Sequence, residues 1–136
     1  MLIITAEQLG KLTGAAREAL PNEACGLLAG EICGEEKIVR EVYPLKNTDE
    51  SPEHFSMAPE DQFAVIADVR KKGLALLGNF HSHPATPARP SAEDLRLAFD
   101  PSLTYMIISL AGNEPVVKTF TVKNGAAAEE AIRVEK

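Results

Sequence analysis

The sequence is poor in cysteine and in basic side chains, and it begins without a long apolar run. Only two of its 136 residues are cysteines, too few for a disulfide scaffold, which favours a reducing compartment. Residues 1–5 carry no basic region and open no long apolar stretch, so neither a signal peptide nor a membrane span is expected. We therefore expect a cytoplasmic protein without a membrane partner.

Acidic residues outnumber basic ones, with 20 Asp and Glu against 14 Lys and Arg and a net charge of −6. Binding to nucleic acid depends on neutralising phosphates with basic side chains, so a nucleic-acid partner is not expected. The composition, 45% hydrophobic and 25% charged, is that of an ordinary globular protein. At this length the chain is expected to form one domain over residues 1–136.

Short apolar segments predict six strands. They lie at residues 2–4, 24–29, 37–45, 74–80, 105–110 and 116–122. The first is predicted to be an edge strand, and a polar turn at 30–36 joins the second and third into a hairpin. Residues 46–58 and the proline-rich segment 81–90 are predicted loops. The tail, residues 126–135, has the alanines and glutamates of a helix, but its isoleucine and valine alternate as in a strand.

Three helices are predicted between these strands. The first begins at Thr5, which has the spacing of a capping box with Gln8, and it stops at Pro21. The second begins at Pro59, ends at Gly73 and is predicted to present on one face Phe63, Ile66, Ala67 and Arg70. The third covers residues 91–99. Two hairpins interrupt strict alternation, which predicts a mixed α/β fold with helices flanking a central, largely antiparallel sheet.

Two of the three histidines, His81 and His83, lie in one tripeptide after an apolar strand. In an extended chain, side chains two residues apart point to the same side, whereas Ser82 between them points to the other. Two imidazoles on one side can share a metal ion, and imidazole is a common zinc ligand. The spacing therefore predicts a zinc site.

The third ligand is left open by spacing alone. A catalytic zinc usually has three protein ligands and an open position for water. Glu93 and Asp94 are the nearest carboxylates, and both lie in the first turn of the third predicted helix. Ser91 followed by an acid three residues later is also an ordinary helix cap, so this segment has a purely structural interpretation as well.

These residues resemble the motif of the JAMM metalloprotease family, also called MPN+. That motif is H-x-H-P, six residues, S, two residues and D, with a glutamate upstream. Here residues 81–84 are followed by the six residues 85–90, then by Ser91 and Asp94. The upstream acid is Glu23, and the segment around it resembles the first-strand motif of the family. The resemblance covers roughly residues 2–122 and is closest to the small prokaryotic members.

The resemblance implies a fold similar to that of MPN and cytidine-deaminase proteins, and a role for each residue. His81, His83 and Asp94 would bind one zinc ion per chain, which selects Asp94 over Glu93. Glu23 would hold the zinc-bound water, the nucleophile, and act as general base. A serine hydroxyl, that of Ser91, would donate to the developing oxyanion.

The implied activity is that of a zinc metallopeptidase or isopeptidase. Its expected substrate is a ubiquitin-like or sulfur-carrier protein of the β-grasp type, cut after the C-terminal Gly-Gly. The alternative is a non-catalytic module of this fold that binds zinc or a ubiquitin-like partner without hydrolysis. A related group linked to DNA repair has Asn where this chain has Ser82, and the acidic charge also disfavours it.

Four other residues are predicted to have no central role. Cys25 is expected to be a small buried side chain, although it could line the pocket or touch the metal. Cys33 is placed in a turn and His54 on a polar loop. Arg89 borders the predicted site, where it could hold a carboxylate.

Overall fold

A computed structural model describes all 136 residues of the chain. Its elements, in chain order, are β1 Leu2–Thr5, α1 Ala6–Ala19, β2 Cys25–Cys33, β3 Glu36–Leu45, α2 Pro59–Lys71, β4 Ala75–His83, α3 Ala92–Leu97, β5 Thr104–Ser109, β6 Val116–Lys123, β7 Ala126–Glu130 and β8 Ile132–Glu135. None of the three helices has the length and apolar character that a membrane-spanning helix needs.

All eight strands form one sheet, in the order β7-β6-β5-β4-β2-β3-β1-β8. Four of the seven neighbouring pairs are antiparallel and three are parallel. The predicted fold class, a mixed and largely antiparallel sheet with helices packed on it, is therefore confirmed. Strands β2 and β4 lie in the middle of the sheet, and the two predicted histidine ligands are at the end of β4.

The two ends of the sheet meet at a seam formed by β7 and β8. Residue 131 alone separates these strands in sequence, yet they occupy opposite ends of the strand order. The sheet must therefore curl until its edges come together. The Leu2 amide of β1 donates to the carbonyl of Ala131, the residue between the two edge strands, at 2.9 Å. The tail is thus strand. The prediction of an edge strand at 2–4 is wrong, because β1 pairs with both β3 and β8.

Helix α1 covers one face of the sheet. Its N-terminus has the predicted capping box, in which Gln8 N donates to Thr5 Oγ1 and Thr5 N donates to Gln8 Oε1. Two side chains of the helix, Leu12 and Ala16, are fully buried among strand residues of the larger core cluster, including Leu28. This core covers the face of the sheet that lies opposite to the predicted site.

Helix α2 packs on the other face, but not through the predicted residues. Its buried side chains are Val65 and Val69, which contact Leu27 and Ala29 of β2. Phe63 is 73% exposed, so the prediction of its face is wrong. The two valines lie four residues apart and form a narrow apolar stripe. The prediction instead chose the face of Phe63, which is the larger apolar side chain.

Two strands, β2 and β4, extend three or more residues beyond their predicted ends. Strand β2 continues to Cys33, so the polar turn is reduced to two residues, Gly34 and Glu35. Gly34 has a φ of +61°, a backbone conformation that favours glycine. Strand β4 continues through His83, so both histidines lie within the strand and not in the loop that follows it. Helix α3 is shorter than predicted, at 92–97.

Gly78 is expected to be one of the least replaceable residues of the sheet. A Cβ atom there would lie 1.9 Å from the Thr104 carbonyl oxygen of β5, whereas one at Gly10 of α1 would meet nothing within 4 Å. We expect Gly78→Ala to lower the free energy of unfolding by about 3 kcal/mol or more. The control, Gly10→Ala, should raise it by about 0.5–1 kcal/mol. Urea unfolding of the pair tests this, and equal stabilities would contradict it.

Candidate metal centre

The last residues of β4 direct two imidazoles to the α2 face of the sheet. Both side chains are buried, with His81 3% and His83 5% exposed. His81 lies between Cys25 of β2 and Ile107 of β5, so neighbouring strands enclose it on both sides. The two Nε2 atoms are 3.1 Å apart. The alternation of the strand places these nitrogens together, as the two-residue spacing predicts.

Asp94 completes a group of three possible metal ligands. Its Oδ2 atom lies 3.1 Å from Nε2 of His81 and 3.1 Å from Nε2 of His83. Helix α3 orients this carboxylate, because Ser91 N donates to Oδ2 at 2.9 Å while Asp94 N donates to Ser91 Oγ at 3.0 Å. Asp94 therefore belongs both to the capping box and to the ligand group.

Glu93, the other candidate carboxylate, points elsewhere. Its Oε2 atom lies 2.7 Å from His54 Nδ1, on the loop between β3 and α2. The pair links this loop to α3 across the candidate site. His54, predicted to be a loop residue without a central role, thus makes a contact that no sequence pattern predicts.

Contacts outside the group orient both imidazoles. His83 Nδ1 lies 2.9 Å from the Pro87 carbonyl oxygen, so it donates there and leaves Nε2 free to accept a metal. His81 Nδ1 has no hydrogen-bond partner, and Phe55 stacks on this ring with centroids 4.8 Å apart. Hydrogen bonding fixes one ring, and aromatic packing fixes the other.

The electrostatics of the group favour an ionised carboxylate. Burial raises the pKa of Asp94, but hydrogen bonds from His81 and His83 outweigh it and hold that pKa well below its usual range. Burial lowers the pKa of His83, but hydrogen bonds to Asp94 and to the Pro87 carbonyl outweigh it and raise that pKa. The Asp94 carboxylate thus stabilises a positive charge on His83, and it would stabilise a bound cation in the same way.

Glu23 is a buried carboxyl group next to this cluster. It is 5% exposed, and its Oε1 atom has no hydrogen-bond partner. Burial raises its pKa to about 8, while the charge of His83 acts to lower it and that of Asp94 to raise it. An unpaired buried carboxyl whose pKa lies near neutrality is the kind of group that serves as a general base.

The loop between β3 and α2 holds the backbone of Glu23. The Glu23 amide donates to the Ser51 carbonyl at 2.8 Å, and Asn47 Nδ2 donates to the Glu23 carbonyl at 3.1 Å. Asn47 also donates to the His54 carbonyl at 2.8 Å, so one buried amide side chain organises the loop.

An open cleft with an interior volume of about 60 Å³ lies beside the cluster. Two of the candidate ligands, His81 and Asp94, form part of its wall, and apolar side chains form most of the rest. The apolar and aromatic residues of the lining are Phe55, Pro90, Leu97, Ala98, Tyr105, Ile107 and Val122. A lining that is mostly apolar with a few polar groups has the composition of a binding site.

Comparisons with known proteins place this arrangement in a family. Residues 5–123 match the family of prokaryotic homologs of the JAB domain. The chain belongs to this family. It is 30% identical over 135 residues to the CysO-cysteine peptidase of Mycobacterium tuberculosis, covering 98% of this chain and 91% of the relative. The predicted membership of the small prokaryotic JAMM group is therefore confirmed.

Two further proteins are similar to this chain over most of their length. The chain is 29% identical over 116 residues to a desampylase of Haloferax volcanii, covering 82% of each protein. It also superposes on the solution structure of protein DSY2949 from Desulfitobacterium hafniense with a TM-score of 0.93 and 56% identity. That match covers 100% of this chain and 94% of the other.

Cys25 and Cys33 take no part in the site of this JAB-domain protein. Cys25 is 1% exposed, its Sγ donates to the Leu45 carbonyl at 3.6 Å, and burial raises its pKa to about 12. Such a thiol is not activated as a nucleophile. Cys33 is exposed at the end of β2, not in the predicted turn. Arg89, which was predicted to border the site, is exposed and does not line the cleft.

The raised pKa of Glu23 predicts how stability depends on pH in the metal-free protein. Between the ordinary pKa of 4.5 and the folded value of about 8, the folded state retains a proton that the unfolded state has lost. The free energy of unfolding should therefore fall as pH rises through this range, by less than about 5 kcal/mol from this group. In urea unfolding with a chelator present, Glu23→Gln should gain stability relative to wild type from pH 5 to pH 9. A difference that does not change with pH would contradict the prediction.

Proposed function

We propose that this protein is a zinc-dependent hydrolase that cuts the bond following the C-terminal Gly-Gly of a ubiquitin-like or sulfur-carrier protein. The observation that carries the proposal is the cluster of three donor atoms of His81, His83 and Asp94 beside the unpaired carboxyl group of Glu23. A non-catalytic module would need the donors, but it would have no use for a buried, destabilising carboxyl group next to them.

The donor set fits zinc. Two imidazole nitrogens and one carboxylate oxygen are common zinc ligands, at distances of about 2.0–2.2 Å. Ligand atoms of a tetrahedron of that size lie about 3.3–3.5 Å apart. The three separations of 3.1 Å are close to this value, so little movement is needed to hold the ion. With three protein ligands, a fourth position remains for water or substrate.

A bound zinc ion would supply Lewis acidity and lower the pKa of a bound water toward about 7. We assign the proton transfers to Glu23, which accepts a proton from the attacking water and passes it to the leaving amine. Its carboxyl group suits this role because it is buried beside the cluster and its Oε1 atom has no hydrogen-bond partner.

Ser91 is assigned the stabilisation of the developing oxyanion. Its oxygen accepts the hydrogen bond from Asp94 N, which leaves the hydroxyl proton free to donate. A serine can therefore cap α3 and donate to the substrate at the same time, so its two interpretations are compatible. Donors of this kind are effective because they are already oriented when charge develops on the substrate oxygen.

The names of the relatives support the substrate class. One is a peptidase acting on CysO-cysteine and another is a desampylase, and this chain covers most of the length of each. Cleavage of a ubiquitin-like conjugate requires an extended tail to reach a metal at the bottom of a cleft. The open, mostly apolar cleft next to His81 and Asp94 offers such a path.

The test is hydrolysis by the zinc-loaded protein of a sulfur-carrier protein extended beyond its Gly-Gly. One substrate should carry a single amino acid in linear linkage, and a second should carry a lysine side chain in isopeptide linkage. Mass spectrometry should show release of the carrier ending in Gly-Gly, with no release after chelation. Stoichiometric zinc binding without cleavage of either substrate would overturn the proposal in favour of the non-catalytic module.

Ser91 can be tested apart from its role as a helix cap. Glycine is nearly as good as serine at an N-cap position, so Ser91→Gly should lower the free energy of unfolding by only a few tenths of a kcal/mol. Without the hydroxyl, kcat should fall by roughly 10²–10³-fold while zinc stays bound. Ser91→Thr, which retains the hydroxyl, is the control. Unchanged kcat in Ser91→Gly would show that the residue is only a cap.

A further inference from the structure

The backbone next to Glu23 departs from the regular sheet at Ser82. In an antiparallel pair, opposite residues in a hydrogen-bonded position exchange two backbone hydrogen bonds. Cys25 pairs with His81, so Ala24 lies opposite Ser82. One hydrogen bond of this pair is regular, because Ser82 N donates to the Ala24 carbonyl at 3.0 Å. The other is not. In a regular pair Ala24 N would donate to the Ser82 carbonyl, but here it donates to the Ser82 hydroxyl oxygen at 2.7 Å.

The side chain of Ser82 thus takes the place of its own carbonyl group in the ladder. It points away from the two imidazoles and is fully buried, at 0% exposed. Strand β2 begins just after this point, and residues 23 and 24, which precede it, are irregular backbone. Glu23, the residue before Ala24, makes its backbone hydrogen bonds to Ser51 and Asn47 of the loop and not to β4.

We propose that Ser82 is a positioning residue that sets the location of Glu23 relative to the two histidines. It is joined covalently to both His81 and His83, and it is hydrogen-bonded twice to the residue that follows Glu23. A shift of Ala24 away from β4 would stretch one of these bonds, and Glu23 is the neighbour of Ala24 in the chain. The inference rests on the proposed function for its catalytic consequence, but the hydrogen bond itself is a property of the fold.

A simpler interpretation is that the hydroxyl only satisfies a buried amide. Loss of such a bond lowers stability wherever it occurs in a protein. Positioning predicts more, namely a loss of kcat with little change in KM and with zinc retained. The matched control is Thr119→Val, because Thr119 of β6 is also 0% exposed and its hydroxyl donates one hydrogen bond, to the Glu130 carbonyl at 2.7 Å.

The first measurement is amide hydrogen exchange of Ala24 in the zinc-free protein, which needs no activity. We expect the Ala24 amide to exchange at least about tenfold faster in Ser82→Ala than in wild type or in Ser82→Thr, which keeps the hydroxyl. Equal protection in all three proteins would overturn the proposal, because the hydroxyl would then not be the acceptor that holds Ala24.

The second measurement is cleavage of the carrier fusions by the zinc-loaded proteins. We expect Ser82→Ala to bind one zinc and to lose about 10–100-fold in kcat with KM within about twofold, while Ser82→Thr recovers most of kcat. Thr119→Val should lose stability but keep kcat. Ser82→Ala with wild-type kcat, or without zinc, would overturn the proposal, since Glu23 would not then be what the serine positions.

Two precautions keep the outcomes distinct. Should Ser82→Ala not fold, Ser82→Cys replaces it, because sulfur fills the space but accepts hydrogen bonds weakly. An inactive wild-type protein with stoichiometric zinc would overturn the proposed function. In that case the Ala24 exchange measurement still decides whether the serine hydroxyl holds the backbone beside Glu23.

Discussion

Replacing Glu23 by glutamine is expected to abolish most hydrolysis and to leave the metal bound. The amide has the same shape but cannot accept a proton from water, so kcat should fall by roughly 10²–10⁴-fold. The three donor atoms of the cluster belong to other residues and remain in place. Zinc content per chain and single-turnover cleavage of a carrier fusion measure the two effects separately.

The control for this change is Glu18→Gln, on the exposed surface of α1. It makes the same change of side chain far from the cluster and should alter neither zinc content nor kcat. Loss of zinc from Glu23→Gln would show that Glu23 is a ligand instead of a base. Full activity would show that the proton is taken by another group.

Removing a ligand is expected to have the larger effect, because both metal and activity should be lost. His81→Ala and Asp94→Asn each take one donor from a set of three, and zinc content should fall from one per chain to near zero. Zinc at a hundredfold excess over its dissociation constant stabilises the wild-type protein by about 2.7 kcal/mol. That stabilisation should be absent from both variants in thermal unfolding.

Asn is chosen at position 94 because its side chain can still accept the hydrogen bond from Ser91 N, so α3 keeps its cap. The matched control is Glu93→Ala, which removes the neighbouring acid. It breaks the contact with His54 but leaves the donor cluster complete, so zinc should remain. If Glu93→Ala lost zinc and Asp94→Asn kept it, the assignment of the third ligand would be wrong.

Features that depend on neighbouring residues were predictable from the sequence. The capping box of Thr5 and Gln8 and that of Ser91 and Asp94 follow from three-residue spacing, and both are present. The convergence of His81 and His83 follows from the alternation of a strand. In each case the physical cause acts within one turn or one strand, so no knowledge of the rest of the fold is needed.

Features that depend on distant partners were not predictable. Nothing within residues 2–4 shows that β1 lies between two other strands, because one of those strands is at the far end of the chain. The tail was ambiguous for the same reason, since its strand partners decide its structure. Glu23 entered only through the family resemblance, and the contact between His54 and Glu93 had no signal in either segment.

The seam between β7 and β8 also has a consequence for the order of folding. Three of the strand pairs are local hairpins, β2 with β3, β5 with β6 and β6 with β7, and closing them costs little chain entropy. Pairing β1 with β8 brings together Leu2 and Ile132, almost the whole length of the chain. Pairs of such high sequence separation are slow to form. We therefore expect refolding to pass from the hairpins to the central strands, with the two termini joining the sheet last.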